Sequence, residues 1–201
     1  MPTVLVLPVA YLLGAIPFGY LLVKWKTGRD VRASGSGNIG ATNVLRTTGR
    51  AAGITTLVLD ALKGFAAVWL ADWASGGDAA WTSAAAVVAM LGHGYPVFLR
   101  FKGGKAVATF IGAFLYLTPL PLAAVLLVFA GTVAWTRYIS LGSIVAAATF
   151  PLAVWLILHP PSPVVLAALC GGAFIVYRHK ENIRRLRAGN EHTFSLGGAK
   201  K

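Results

Sequence analysis

The sequence predicts an all-α integral membrane protein, folded as a compact bundle of about seven transmembrane helices. Of its 201 residues, 57% are hydrophobic and only 12% are charged, and the mean hydropathy is +0.71. Soluble domains carry about 25% charged residues. The apolar residues also fall in long runs rather than in the alternation of a half-buried strand, and such runs are typical of helices that cross a bilayer.

Seven apolar segments alternate with polar or proline-containing breaks. They cover residues 3–23, 51–71, 81–99, 106–117, 120–136, 141–158 and 163–177. The fourth and the seventh are shorter than the roughly 20 residues that a membrane-crossing helix needs. A bundle of five spans, with the short segments re-entrant or buried, is therefore the alternative.

We expect one membrane-embedded domain over residues 1–201. No basic residue precedes the first apolar run, and KWKTGRDVR follows where the small residues of a cleavage site would stand. A retained first helix is therefore expected rather than a signal peptide. The final stretch, SLGGAKK, is predicted to be disordered.

The positions of the basic residues predict the orientation of the bundle. Apart from Lys63, all lysines and arginines lie in residues 24–50, in residues 100–105, at Arg137, or from Arg178 onward. An external N-terminus and a cytoplasmic C-terminus put all of these on the cytoplasmic face. The net charge of +12 therefore indicates contact with anionic lipid headgroups rather than with nucleic acid.

The chain lacks the residue patterns of redox and metal chemistry. Cys170 is the only cysteine, which excludes an internal disulfide, and its apolar neighbours predict a small packing residue. There is no HExxH sequence and no pair of carboxylates that would hold magnesium. We therefore expect neither a metal nor a cofactor.

A glycine-rich polar loop, SGSGNIGATNVLR, occupies residues 34–46. Its glycines let backbone N–H groups approach an anion, while Ser36, Asn38 and Thr42 add donors without bulk. The loop runs into a helical pattern whose N-terminus favours phosphate, and Arg46 can bind phosphate through two nitrogens. The spacing differs from a Walker A loop, and the alternative is a flexible connector.

A second polar motif, FKGGKAVATF, opens the fourth segment. Gly103 and Gly104 precede Lys105, so backbone donors and one cation stand together at the start of a helix. Lys102 is expected to be only an anchor at the membrane surface. His93, in the preceding GHGYP, is equally compatible with a structural and a functional role.

The third motif, RHKENIRRLRAGNE, follows the last segment. His179 and Asn182 are three residues apart and share one helix face, flanked by Arg178 and Arg185. The alternative is a solvated basic helix that only binds lipid headgroups. Glu191 follows a Gly-Asn turn, and we interpret it as a structural partner for a basic loop residue.

Two further sets of polar residues lie within or beside the apolar segments. Asp60 and Lys63 can neutralise each other within the second segment, where a charge costs about 2.5–3.5 kcal/mol. Structural pairing, an ion pathway and support of an active site are all open. In TRYISLGSI, Ser143 and Arg137 could reach the polar site or serve only as a helix cap and an anchor.

The three motifs, in this order, resemble those of the bacterial acyl-phosphate:glycerol-3-phosphate acyltransferase family, and LDALKG and RYISLGSI extend the resemblance over essentially the whole chain. One departure is Ala106, where the family has the last glycine of GGKG. The resemblance implies transfer of an acyl chain from acyl phosphate to the 1-hydroxyl of sn-glycerol 3-phosphate, the first acylation of phospholipid synthesis. Lysophosphatidate and phosphate are the implied products.

The resemblance also implies which residues act. Catalysis and substrate contact fall to Ser36, Arg46, Lys105, His179 and Asn182. Phosphate binding is expected of Gly37, Asn38, Gly40, Thr42, Asn43, Gly103, Gly104 and Ser143. Lys105 and Arg46 would neutralise phosphate and oxyanion charge. His179 is either the general base or a positioning group, because an oxygen of the acyl phosphate could itself accept the hydroxyl proton.

By the same resemblance, the protein is expected to be a multi-pass protein of the bacterial inner membrane with its site facing the cytoplasm. We expect a monomer that meets acyl phosphate, glycerol 3-phosphate and membrane lipids. Two other classes stay open: a transporter or flippase for anionic phosphates, and a lipid-binding scaffold. The placement of all three motifs on one face argues against a transporter, and a scaffold does not explain the glycine-rich loop.

Overall fold

The computed structural model describes residues 3–194, and over that range it contains helices and no strands. The α-helices are α1 (Val6–Ala15), α2 (Phe18–Thr27), α3 (Ala41–Thr48), α4 (Arg50–Ser75), α5 (Ala79–Gly94), α6 (Val107–Leu117), α7 (Pro119–Thr136), α8 (Ile139–Leu158), α9 (Ser162–Arg178) and α10 (Lys180–Arg187). Short 3-10 turns cover Thr3–Leu5, Val31–Ala33 and Val97–Leu99. The stretch predicted to be disordered, SLGGAKK, lies outside the described residues.

Most of the predicted spans are long enough to cross a bilayer. Five stretches qualify: Thr3–Thr27, Arg50–Ser75, Ala79–Leu99, Pro119–Thr136 and Ile139–Leu158. Helices α9 and α10 together qualify as a sixth, bent by 54° where they meet, and α6 is a shorter apolar helix. These two elements correspond to the short seventh and fourth segments of the sequence. The all-helical membrane class is confirmed, while the orientation of the termini stays a prediction.

The first span is broken, which the prediction of a single helix over residues 3–23 missed. Helix α1 ends at Ala15 and α2 begins at Phe18. Pro17 explains the break, because proline donates no N–H and its ring clashes with the preceding helical turn. At the break, Ile16 O accepts a hydrogen bond of 2.7 Å from Lys63 Nζ, so the interruption gives a buried cation of α4 a partner.

Helix α4 is the centre of the bundle and packs against α1, α2, α3, α5 and α6. It approaches α6 through glycines on both sides of the contact. A Cβ on Gly112 would lie 1.7 Å from Ala61 O, and one on Gly64 would lie 2.1 Å from Thr109 O. In lipid, helices associate through such close packing rather than through a hydrophobic driving force. This contact fixes the position of α6, which begins directly after Lys105 and Ala106.

Aromatic rings fill the other half of the bundle, where α6 meets α8. Phe110, Phe114 and Phe150 form a triangle in which each pair of ring centroids is separated by 4.6 to 4.8 Å. All three side chains are buried. Stacked and edge-on rings of this kind add packing energy beyond the area that they bury, and they hold α6 between α4 and α8.

Cys170 is exposed on α9, so the prediction of a packing residue was wrong. The next two residues, Gly171 and Gly172, face the bundle and approach Met90 and Ala147 instead. An apolar sequence neighbourhood does not separate the packed face of a membrane helix from its lipid face, because both faces are apolar.

Substituting Gly112 with alanine should destabilise the protein, because the added methyl would overlap the Ala61 carbonyl. We expect a loss of about 2 to 3 kcal/mol in the free energy of unfolding, measured by thermal denaturation in detergent. Gly131→Ala on α7 is the matched control, since nothing lies within 4 Å of the added Cβ. Equal melting temperatures for the two variants would contradict the proposed importance of the α4–α6 contact.

Candidate functional site

A cavity of about 480 Å³ brings the three polar motifs together. Its polar wall comprises Ser36, Asn38, Gly40, Thr42, Asn43, Arg46, Lys105, His179, Asn182, Arg185 and Glu191. The rest of its lining is mostly apolar and comes mainly from α4, α6, α7 and α8. Ile54, Leu57 and Leu126 line the cavity and are also exposed on the outer surface of the bundle, so the apolar end is open to the side.

Asn43 holds the glycine-rich loop in shape. Its Nδ2 donates to the carbonyl oxygens of Ser34 and Asn38 at 3.1 and 2.8 Å, and its Oδ1 accepts from Ser36 N at 2.9 Å. Gly35 lies against this amide with a φ of 60°, and a Cβ there would come within 2.2 Å of Asn43 Oδ1. The buried Asn43 amide therefore spends its hydrogen bonds on the loop backbone and positions Ser36 at the cavity.

The loop delivers the N-terminus of α3 to the cavity. Gly40 is the N-cap residue, no side chain caps the helix, and Gly40, Ala41 and Thr42 all line the cavity. Thr42 and Arg46 are one turn apart on the same face, and both reach the cavity. Free N–H groups, a favourable dipole and a guanidinium together make this a place for an anion. Gly37, by contrast, forms a turn with a φ of 70° and does not line the cavity.

Lys105 is a partly buried cation on the opposite wall. Its Nζ donates a hydrogen bond to Asn182 Oδ1. Burial lowers the pKa of Lys105 to about 8; Glu191 offsets part of this, whereas Arg185 and Arg46 act in the same direction as burial. An incoming anion would stabilise this ammonium, because it would replace solvation that the ammonium has lost.

Gly103 and Gly104 support Lys105 from behind and do not line the cavity. Their carbonyl oxygens each accept a hydrogen bond of 2.9 Å from the Arg178 guanidinium, and Gly104 N donates to His93 O at 3.1 Å. A Cβ on Gly104 would lie 2.1 Å from His93 Nε2. These glycines thus allow the loop to pack on α5, and Arg178 ties it to α9.

Ala106 has a φ of 60°, a left-handed conformation that glycine adopts readily. For alanine it costs about 1 kcal/mol. Its methyl is buried in the cavity wall. The chain therefore has a left-handed alanine, with its methyl group next to Lys105, where the resemblance predicts a glycine.

Glu191 organises the third motif. Its buried carboxylate accepts hydrogen bonds from Ser140 Oγ, Asn182 Nδ2 and Arg185 Nε at 3.0, 2.7 and 2.7 Å. Although burial acts to raise the pKa of Glu191, these bonds hold it below its usual value. Because Asn182 donates to Glu191, its amide oxygen faces Lys105. Glu191 pairs with a basic residue as interpreted from the sequence, but that residue lies on α10, and the carboxylate itself lines the cavity.

His179 lies at the bend between α9 and α10. Its Nδ1 contacts Ile175 O at 2.8 Å, and since a carbonyl can only accept, Nδ1 carries the proton. With the proton on Nδ1, Nε2 of the neutral ring is a hydrogen-bond acceptor at the cavity wall.

Other polar residues reach the cavity or its rim. Ser143 lines it from α8, although its hydroxyl already donates to Ile139 O at 2.9 Å. Asp60 and His93 line it from α4 and α5, and sequence spacing alone did not connect His93 with the site. Within residues 3–194, no group of three histidine, cysteine or acidic side chains is placed to hold a metal ion.

A smaller polar cleft of about 190 Å³ adjoins the cavity. Its outer wall is formed by Tyr177, Arg178, Lys180 and Glu181. It shares five residues with the cavity: Ser36, Asn38, Lys105, Asn182 and Arg185. The shared residues therefore stand between a polar compartment and an apolar one.

A helical membrane bundle whose cavity is cationic at one end and apolar at the other has the form of a membrane enzyme that acts on phosphate-bearing lipids. The glycerol-3-phosphate acyltransferase family model matches residues 4–189. The chain belongs to the glycerol-3-phosphate acyltransferase family, and it is an acyltransferase rather than the transporter or scaffold that the charge pattern left open.

Relatives and solved structures agree with this assignment. A glycerol-3-phosphate acyltransferase of Geobacter sulfurreducens is 50% identical over 186 residues, covering 92% of this chain and 94% of that protein. A crystal structure of PlsY (YgiH), an integral membrane glycerol 3-phosphate acyltransferase, in its glycerol 3-phosphate form is 42% identical, with a TM-score of 0.91 and 96% of each chain covered. Its lysophosphatidic acid form is 40% identical, with a TM-score of 0.88 and 96% and 95% covered.

The lowered pKa of the partly buried Lys105 predicts a loss of activity at alkaline pH. Because the pKa of Lys105 is lowered to about 8, kcat/KM for acyl transfer should fall as the pH rises above that value and the ammonium loses its proton. Lys105→Arg should remove this fall, since a guanidinium stays charged, even if its maximal rate is lower. Lys102→Ala, an exposed neighbour, is the control and should keep the wild-type profile. An unchanged alkaline limb in Lys105→Arg would contradict the assignment.

Proposed function

We propose that this protein transfers the acyl chain of an acyl phosphate to the 1-hydroxyl of sn-glycerol 3-phosphate, releasing lysophosphatidate and phosphate. The observation that carries the proposal is the convergence of Arg46, Lys105 and the N-terminus of α3 at the polar end of an otherwise apolar cavity. Two phosphate-bearing substrates need two sets of anion donors in one site. The family and the two ligand forms of its solved relative support glycerol 3-phosphate as the acceptor.

The two compartments suit substrates of opposite solubility. The apolar cavity is open at the side between α4 and α7, where an acyl chain can enter from the lipid. The polar cleft, lined by Arg178 and Lys180, suits a small water-soluble phosphate ester. Both substrates then meet at the shared residues around Lys105. An acyl phosphate fits this layout because its phosphate can reach the cationic end while its tail stays in lipid.

The reaction needs charge stabilisation more than activation. The acceptor hydroxyl attacks the acyl carbon, the bond between that carbon and the bridging phosphate oxygen breaks, and phosphate leaves. Lys105 and Arg46 would stabilise the oxyanion and the departing phosphate. Ser36 and Asn182 would orient the reacting groups by hydrogen bonds, and Asn182 is itself held by Glu191.

We assign His179 to positioning rather than to proton abstraction. An acyl phosphate is already activated and does not need a strong base, while Nε2 of His179 can accept a hydrogen bond from glycerol 3-phosphate. An oxygen of the acyl phosphate would then take the hydroxyl proton and carry it away on the released phosphate.

We further propose that the protein is a single-domain monomer of the bacterial inner membrane, with the site facing the cytoplasm and no cofactor. The basic residues of the three motifs support this orientation, because positive charge is retained on the cytoplasmic side. Gly103, Gly104 and Asn43 were expected from the sequence to bind phosphate. We propose instead that the two glycines hold Lys105 in place and that Asn43 holds the loop around Ser36.

Phosphate release tests the proposed reaction. Purified protein in detergent or mesophase should release phosphate from palmitoyl phosphate only when glycerol 3-phosphate is present, with stoichiometric lysophosphatidate. Lys105→Ala should abolish the release, whereas Lys102→Ala should keep it. Acyl transfer from palmitoyl-CoA but not from palmitoyl phosphate would overturn the proposed donor. Inactivity with both donors would overturn the proposed reaction.

Replacing His179 with glutamine distinguishes positioning from general-base catalysis. Glutamine keeps a hydrogen-bonding group near the position of Nε2 but cannot act as a base. We expect kcat to stay within about tenfold of wild type, with the larger change in KM for glycerol 3-phosphate. A fall in kcat by several orders of magnitude at unchanged KM would assign His179 to proton abstraction instead.

A further inference from the structure

A cluster of three ionisable side chains lies inside the membrane bundle beside the cavity. Lys63 Nζ is 2.8 Å from Asp60 Oδ1, and His93 Nδ1 is 3.7 Å from the same oxygen. The three residues are only 2% to 4% exposed. Asp60 and His93 also line the cavity, so the cluster is adjacent to the site.

Neutralisation alone does not account for this arrangement. A buried ion pair is weak evidence for stability, because desolvation offsets most of the attraction, and apolar residues of similar size often replace such pairs without loss. The third member, His93, has no hydrogen-bond partner for Nδ1 among the described residues, and this nitrogen faces Asp60. An apolar pair in place of Asp60 and Lys63 could not orient the His93 ring, because it would offer no acceptor to Nδ1.

The contacts form a continuous series from a helix break to the active-site cation. Ile16 O fixes Lys63 by a hydrogen bond of 2.7 Å, and Lys63 holds Asp60. Asp60 faces one edge of the His93 ring, and the other edge lies under Gly104, where a Cβ would come within 2.1 Å of Nε2. His93 O also accepts from Gly104 N.

We propose that His93, oriented by the Asp60–Lys63 ion pair, is a positioning residue for Lys105. The ring and the carbonyl of His93 form the surface on which the Gly103–Gly104 turn rests, and this turn sets where the Lys105 ammonium enters the cavity. A displaced ammonium stabilises transferred charge poorly, since charge stabilisation depends on groups that are already in place before the reaction. This inference rests on the role given to Lys105 in the proposed function.

Variants of the ion pair separate positioning from stability. Asp60→Asn should lower both the melting temperature and the rate, because Lys63 is left unpaired. The double variant Asp60→Asn/Lys63→Met leaves no buried charge and should regain the melting temperature. Its kcat/KM should nevertheless stay about tenfold or more below wild type, with a raised KM for glycerol 3-phosphate. A purely structural defect would lower the active fraction and leave KM unchanged.

Two substitutions of His93 and one control complete the comparison. His93→Asn keeps a polar atom near the position of Nδ1 and should retain most of the activity, whereas His93→Leu, which has no polar atom, should lose it. Asp72→Asn is the matched control, since Asp72 is also on α4 but accepts a hydrogen bond from Tyr116 instead, at 2.9 Å. It should change neither kcat nor KM by more than about twofold.

Binding of glycerol 3-phosphate, measured by calorimetry without acyl donor, keeps this test separate from the proposed reaction. The double variant and His93→Leu should bind it more weakly than wild type. Wild-type binding and KM in both variants, or a double variant that regains rate together with melting temperature, would overturn the positioning role. Unfolding of both variants would assign the cluster to folding alone and would equally overturn it. Wild-type protein that binds but does not turn over would count against the proposed reaction only.

Discussion

Keeping a lysine ammonium charged beside an apolar cavity is the constraint on which the rest of this structure depends. Burial works against the charge, so each neighbour has to compensate. Asn182 presents its oxygen to Lys105 only because its nitrogen is occupied by Glu191, and Glu191 is held in turn by Ser140 and Arg185. The network thereby joins α8, α10 and the loop before α6, which are distant in sequence.

The membrane-spanning helices position this network through close backbone contacts that only glycine permits. Gly64 and Gly112 let α4 and α6 touch through their backbones, and α6 begins two residues after Lys105. Lipid offers no hydrophobic gain when two helices meet, so close contact and a few buried polar bonds have to hold the bundle together. The hydrogen bond from Lys63 to Ile16 O is one of these polar bonds. It links α4 to the helix break at Pro17 and gives the buried ammonium a partner.

Much of the architecture could be predicted from local sequence, because an apolar run long enough to cross a bilayer has few alternatives to a helix. The three motifs likewise pointed to one polar face. Spacing reveals which residues share a face, but it does not reveal which partner each one chooses. For that reason Gly103 and Gly104 were expected to meet the ligand, whereas they lie behind Lys105. The exposure of Cys170 was missed because lipid and protein interior are equally apolar surroundings.

The wall shared by the cavity and the cleft has a consequence for which concentrations determine the rate of this enzyme. One compartment opens on the apolar outer surface of the bundle and the other is polar, so the site joins two compartments of opposite polarity. The acyl phosphate donor proposed above would be supplied by diffusion in two dimensions, and its effective concentration would be the number of molecules per area of membrane. Diluting the bilayer with inert lipid would therefore slow such a catalyst, while diluting the whole suspension with buffer would leave the donor supply at each molecule unchanged.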